Sequence, residues 1–139
     1  MKIGMVGLGK MGANMTERLL KAGHEVVAFD LSAAARDAVA AKGAEPATSL
    51  EDLAAKLTAP RAAWVMVPSG APTDSTIAEL ADHFESGDVI VDGGNSNYKE
   101  AAPTAAKLAE KGIGFVDAGT SGGVWGLTEG YCLMVGGTD

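Results

Sequence analysis

Short apolar runs that end near glycine alternate along this chain with stretches whose apolar residues recur at helical spacing. Lys2–Val6 is the first such run, and its lack of polar alternation fits a strand buried on both faces of a parallel sheet. Met11–Lys21 follows, with Met11, Met15, Leu19 and Ala22 on one helical face and Gly23 placed to cap the helix. Glu25–Asp30, holding Val-Val-Ala-Phe, reads as a second strand. Ser32 is the N-cap of a helix through Lys42, stopped by Gly43. Ser49 caps a short helix over Leu50–Leu57, with Asp52 in its first turn. Ala62–Val67 is a third strand closed by Pro68, and Pro72 sits in the first turn of a helix reaching Phe84. Val89–Val91 is a fourth strand. Asn97–Lys111 is helical, with Pro103 marking a kink or a later start. Gly114–Ala118 is a fifth strand, Gly119–Gly130 a long glycine-rich loop, and Cys132–Val135 a sixth strand. Strands alternating with helices predict an α/β fold: a doubly wound, mostly parallel sheet of six or more strands with helices on both faces. No repeat or linker interrupts it, so residues 1–139 read as one domain.

Composition narrows the chemistry. The 19 glycines are about twice the ordinary usage of roughly 7%, and they cluster without a period, as backbone does where it turns sharply or meets a ligand. A net charge of −7 argues against a nucleic-acid partner, which needs a basic face. Any anionic ligand must therefore be held by local groups against the global field. Cys132 excludes an internal disulfide, and its apolar run Tyr131–Val135 reads as buried packing rather than a reactive thiol. No apolar stretch approaches the roughly 20 residues of a membrane span. Met1-Lys2-Ile3-Gly4 enters a strand at once, without a secretory leader. No metal site is expected, and a cytoplasmic location is the default.

Gly7-Leu8-Gly9-Lys10-Met11-Gly12 is G-x-G-x-x-G, and it follows a predicted strand and opens a predicted helix. In that setting Gly7 permits the tight turn, Gly9 lets backbone approach a pyrophosphate, and Gly12 brings helix against strand. Free N–H groups and the helix dipole favour the anion. Lys10 either adds charge there or is a solvated surface lysine. Asp30 ends the second strand 23 positions after Gly7, close to the spacing of about 20 expected for an acid that binds the adenosine ribose. Its carboxylate would repel a 2′-phosphate. Neither Leu31 nor Ser32 offers an arginine, and Arg36 is one helical turn further on. These residues predict a Rossmann-type site for NAD, with NADP disfavoured.

In open parallel sheets ligands sit outside the carboxyl ends of the strands. Val67-Pro68-Ser69-Gly70, Asp92-Gly93-Gly94-Asn95-Ser96 and Thr120-Ser121-Gly122-Gly123 occupy that edge. From spacing alone, each fits a ligand contact or ordinary turn chemistry equally well. Four segments carry a closer likeness: Gly7 through Met15, Val91 through Ser96, Ser121-Gly122-Gly123, and Leu133-Met134-Val135-Gly136-Gly137. Together they resemble the 6-phosphogluconate dehydrogenases, within the β-hydroxyacid dehydrogenase superfamily. The 3-hydroxyisobutyrate dehydrogenase branch shares the first, third and fourth but usually carries Ser-Thr where this chain has Gly94-Asn95. Val124-Trp125-Gly126 replaces the paired acids of the long NADP-dependent enzymes and is similar to a shorter, often NAD-preferring group.

The resemblance implies an NAD-dependent enzyme that oxidises 6-phosphogluconate at its C3 hydroxyl and decarboxylates the product to ribulose 5-phosphate, a pentose phosphate pathway step. It implies that Asn95 touches nicotinamide and substrate and that Ser121, Gly122 and Gly123 hold the substrate. Val67, Pro68 and Ser69 would line the cofactor, with Gly7, Leu8, Gly9, Lys10, Met11, Gly12, Asp30, Leu31 and Ser32 completing its site. The family's general-base lysine, proton-donating glutamate and phosphate-binding arginines are expected beyond residue 139, on a linking helix and an all-helical domain. Lys99, Lys107 and Lys111 match no family motif, and His24 and His83 have no evident acid partner. The chain is therefore expected to hold no catalytic residue and to turn over little alone. Without that second domain, apolar surface at Val124–Leu127 and along the last strand is expected to drive homo-oligomer formation. The alternatives are the cofactor half of a 3-hydroxyisobutyrate dehydrogenase-like enzyme or imine reductase, and a non-catalytic dinucleotide-binding module.

Overall fold

In the computed structural model, which describes residues 1–137 apart from the Val124 side chain, one sheet of seven strands organises the chain. The strands are β1 (Lys2–Val6), β2 (Glu25–Phe29), β3 (Glu45–Pro46), β4 (Ala62–Val65), β5 (Val89–Asp92), β6 (Gly114–Ser121) and β7 (Cys132–Gly137). They lie in the order β3-β2-β1-β4-β5-β6-β7. The pairings are parallel except β6 with β7. Strand order reverses between β1 and β4, which opens a crevice at the carboxyl ends there.

The helices are α1 (Lys10–Lys21), α2 (Ala33–Ala40), α3 (Leu50–Lys56), α4 (Ala71–His83), α5 (Tyr98–Ala109) and the short α6 (Gly126–Glu129). Strand alternation sends successive residues of β1 to opposite layers. Met5 packs with Met15 of α1, Val26, Ala28 and Val39 of α2. Val6 packs on the other face with Val65, Leu53 of α3, Ile77 and Leu80 of α4, and Leu108 of α5. Burying a Leu or Ile in such a layer contributes about 1.5–3 kcal/mol.

The helix starts follow the predicted caps. Ser32 Oγ accepts from Ala35 N–H at 3.2 Å and Ser49 Oγ from Asp52 N–H at 2.9 Å. Asp52 returns the bond by accepting from Thr48 N–H, which completes a reciprocal cap one residue out of the usual register. Asn97 caps α5, and that helix begins at Tyr98, so Pro103 does not mark a later start.

The sheet of seven falls within the expected six or more strands; the one not singled out in the sequence is β3, two exposed residues, too short and too polar to stand out. Three expectations need correction. The loop expected over Gly119–Gly130 is structured: Gly119–Ser121 extend β6, and a 3-10 turn (Gly123–Trp125) leads into α6. β4 ends at Val65 rather than Val67. Cys132 is exposed, because β7 is an edge strand with all six residues open to solvent. Among the described residues, no helix is long and apolar enough to cross a membrane.

Candidate functional site

The crevice at the strand ends is built around the β1–α1 turn. Gly7 adopts φ +96°, and a Cβ there would overlap the Met66 carbonyl. A Cβ on Gly12 would overlap the carbonyl oxygen of Gly7. Both positions are thus closed by the protein itself. Gly9 differs: no atom lies within 4 Å of where its Cβ would be, so the space above it is open. Gly9 is the N-cap of α1, and no side chain caps the helix. The first-turn N–H groups of Lys10, Met11 and Gly12 therefore face that space with no intrahelical carbonyl to bond. A helix start left open in this way is suited to hold an anion.

Asp30 stands beside this turn. Its Oδ2 accepts from Leu8 N–H and its Oδ1 from Ser32 N–H, both at 2.8 Å. The carboxylate is thereby fixed against the glycine turn, and each oxygen keeps acceptor capacity for a hydroxyl. Sequence reasoning gave Leu8 a cofactor role; its N–H is taken by Asp30 and its side chain is buried. Lys10 is exposed at the rim.

Two cavities flank Asp30. One of about 540 Å³ runs past Leu31, Thr48, Ser49, Pro72 and Glu79, and suits an adenosine end. The other, about 490 Å³, joins Gly9, Met11 and Gly12 to Met66, Gly94 and Asn95. Val67 and Pro68 line both. Thr73 Oγ1 pins their loop by donating to the Pro68 carbonyl at 2.8 Å. Ser69 is exposed and lines neither cavity; nor does Ser32.

The second cavity ends at Asn95, the one non-glycine residue with positive φ (+57°) among those described. Asn95 Oδ1 accepts from Thr120 N–H at 3.3 Å, tying the β5 loop to the end of β6. The loop fits tightly, since a Cβ on Gly94 would come within 2.6 Å of the Val67 carbonyl oxygen. Ser121, Gly122 and Gly123 follow Thr120 directly but do not line the cavity. Arg18 holds the far side of this segment by donating from α1 to the Leu127 carbonyl at 3.0 Å. Neither Arg18 nor Thr73 stood out in the sequence, because an arginine and a threonine on helices carry no motif.

Residues 2–139 match the family described as the NAD binding domain of 6-phosphogluconate dehydrogenase. The chain belongs to that family. Its likeness extends to the NAD(+)-dependent, decarboxylating 6-phosphogluconate dehydrogenase of Haloferax volcanii, 47% identical over 99% of this chain and 45% of the relative. The chain thus spans about half the length of the curated relatives it matches first. Among solved structures, the Plasmodium falciparum 6-phosphogluconate dehydrogenase superposes with a TM-score of 0.89 at 26% identity, over 97% of this chain and 30% of that one. The Mycobacterium tuberculosis 3-hydroxyisobutyrate dehydrogenase, with L-serine, gives 0.88 at 29%, over 97% and 46%. The residues present fit an NAD: open space over the Gly9 helix start, an oriented carboxylate in Asp30, and a groove leading to Asn95.

Proposed function

We propose that this NAD-binding domain serves an NAD-dependent 6-phosphogluconate dehydrogenase that oxidises its substrate at C3 and decarboxylates it to ribulose 5-phosphate. The observation that carries the reading is the fixed Asp30 carboxylate beside an open anion cradle, with Asn95 at the other end of the same groove. The Haloferax volcanii relative's name supports the choice of substrate and cofactor. Gly94-Asn95, in place of a Ser-Thr pair, supports it over a 3-hydroxyisobutyrate dehydrogenase. The pentose phosphate pathway and a cytoplasmic location belong to the same proposal.

When bound, the nicotinamide supplies the hydride acceptor. The chain's own residues bind and orient. N–H groups of Lys10, Met11 and Gly12 hold the diphosphate, and Asp30 accepts from the adenosine ribose hydroxyls. Leu31, Val67 and Pro68 form the groove walls, with Ser32 and Ser69 at its rim. The Asn95 carboxamide, whose oxygen is held by Thr120, offers its NH2 to cofactor and substrate. Ser121 supplies a hydroxyl, and Gly122 and Gly123 main-chain N–H groups, to the substrate. The general base and the proton donor come from an all-helical domain beyond these residues, so catalysis requires that domain. Homo-oligomer formation belongs to the proposal as well, supported by exposed Trp125, Leu133, Met134 and Val135.

Titrating NADH into the folded chain tests the binding half of this reading. Trp64, packed against Gly93 of the second cavity, and exposed Trp125 are expected to change fluorescence, with heat released in calorimetry. A folded sample giving neither signal overturns it. Joining residues 1–137 to the remainder of the Haloferax relative tests the chemistry. That chimera should reduce NAD with 6-phosphogluconate and release carbon dioxide; turnover of 3-hydroxyisobutyrate instead would reassign the substrate.

A further inference from the structure

Between Ser121 and Cys132 the chain leaves the sheet and returns to it as a closed loop. Its ends are held together, because Ser121 of β6 and Cys132 of β7 are register partners. The 3-10 turn and α6 lie within it. Two main-chain bonds tighten it: Trp125 N–H donates to the Gly122 carbonyl at 3.1 Å, and Gly130 N–H to that of Gly126 at 3.0 Å. Loops whose ends are close and whose interior is packed by their own side chains are frequently functional. The side chain that packs this one is Tyr131.

Its ring fits against two glycines. A Cβ on Gly126 would overlap Tyr131 Cε1, and one on Gly122 would come within 3.0 Å of Tyr131 Cδ1. Gly122 is the middle residue of Ser121-Gly122-Gly123. The ring also packs on the layer formed by Met5, Met15 and Val26, so it fills the space between the loop and α1. Arg18 of α1 ties the loop from outside, its Nη1 donating to the Leu127 carbonyl at 3.0 Å and the Thr128 carbonyl at 3.4 Å. A close-packed aromatic body of this size allows the loop few resting positions. In the sequence, Tyr131 reads only as the first residue of an apolar run.

We propose that Tyr131 is a positioning residue for the substrate segment: its ring is the form on which Ser121, Gly122 and Gly123 are set, with Arg18 as the outer tie. The proposal rests on the functional reading above, which takes those three residues as substrate contacts. Tyr131 acts through the loop, not on the substrate. Because the ring and Arg18 both seat the loop on α1, one helix carries the cofactor at its start and sets the substrate segment further along.

Two measurements on Y131F, Y131L and R18Q test this. The first is amide hydrogen exchange in the chain itself. Y131L is expected to speed exchange of the Trp125 and Gly130 N–H groups by about tenfold or more. Met66 N–H, bonded to the Val6 carbonyl in the sheet, should stay within about twofold of wild type. Y131F keeps the ring and should match wild type; R18Q should show a smaller rise of the same pattern. The second is steady-state kinetics of the chimera described above. There Y131L should raise the KM for 6-phosphogluconate by about tenfold and leave the KM for NAD within about twofold, with Y131F restoring both. The proposal is overturned if Y131L exchanges like wild type at Trp125 and Gly130, if it speeds Met66 equally, or if both KM values rise together. Should Y131L fail to fold, R18Q decides by the same two comparisons, and no change in either overturns the proposal. A wild-type chimera that leaves 6-phosphogluconate untouched would instead sink the functional reading, while the exchange pattern still reports whether the ring holds the loop.

Discussion

Gly12 lies so close under Gly7 that the methyl of an alanine at position 12 would overlap the Gly7 carbonyl oxygen, which belongs to backbone that cannot swing aside. Gly9, three residues earlier, has nothing near its missing Cβ. Packing therefore requires glycine at position 12, whereas at position 9 the protein's own atoms do not, in keeping with the proposed diphosphate contact there.

Alanine substitution should separate them. G12A is expected to destabilise the fold by about 2 kcal/mol or more through overpacking, and to lose NADH with it. G9A should cost under about 1 kcal/mol, as Ala for Gly at an exposed N-cap, yet weaken NADH at least tenfold. Thermal melts alongside NADH titrations check the pair. A G9A variant that binds like wild type would remove the diphosphate from this turn.

Asp88 ties the β4 and β5 starts together. It is 1% exposed and accepts from Arg61 N–H at 2.6 Å, Arg61 Nη1 at 3.0 Å and Glu85 N–H at 2.8 Å. Burial alone would raise its pKa, but these donors outweigh it and hold the carboxyl below its ordinary value. A depressed carboxylate stabilises the fold above the unfolded pKa, near pH 4, and loses that contribution as acid titrates the folded group. D88N should cost about 3 kcal/mol at neutral pH by leaving Arg61 without its charge partner. In urea melts against pH, the gap to wild type should narrow below about pH 4; a gap independent of pH would contradict this origin.

Asp117 has the opposite sign. It is the register partner of buried Asp92 on neighbouring parallel strands, and both line a small crevice with Asp74 and Glu100. Burial first, and the Asp92 charge second, raise its pKa. A raised carboxyl favours the folded state when protonated, so stability falls as pH climbs through the carboxylate range toward the folded pKa. D117N is expected to gain roughly 0.5 kcal/mol at pH 7 by removing the like-charge pair, with the advantage shrinking in acid. Equal or lower stability at pH 7 would show that the charges do not oppose folding.

The β7 edge bears on association. Met134 and Val135 are 75% and 65% exposed on an unpaired edge, a template for another strand. Placing charge there with M134K should shift the chain toward monomer in light scattering while changing stability by no more than about 0.5 kcal/mol. An oligomer indifferent to M134K would place the contact elsewhere.

Strong periodicity made most of the architecture readable. The buried runs at β1, β2 and β4, the serine caps at Ser32 and Ser49, and the glycine turn with Asp30 each follow from local chemistry. What escaped was set by tertiary context. β3 has two residues and no apolar signal. Cys132 lies in an apolar run, but burial depends on a covering layer, and β7 has none among the described residues. Asp30 gave a role through spacing, while its grip on Leu8 N–H required the fold. Asn95 stood out by resemblance; its left-handed backbone and its bond to Thr120 did not.

Because β1 sits between β2 and β4, the groove draws its walls from four stretches of chain that are far apart in sequence. Residues 7–12 alone carry the recognisable signature, yet their opposite wall is Met66 to Pro68 and their floor ends at Asn95. A peptide cut after α2 would keep every residue that announces a nucleotide and possess no trough in which to lay one. Recognition here is a property of the assembled sheet, and it should appear and vanish together with global folding rather than with the glycine turn.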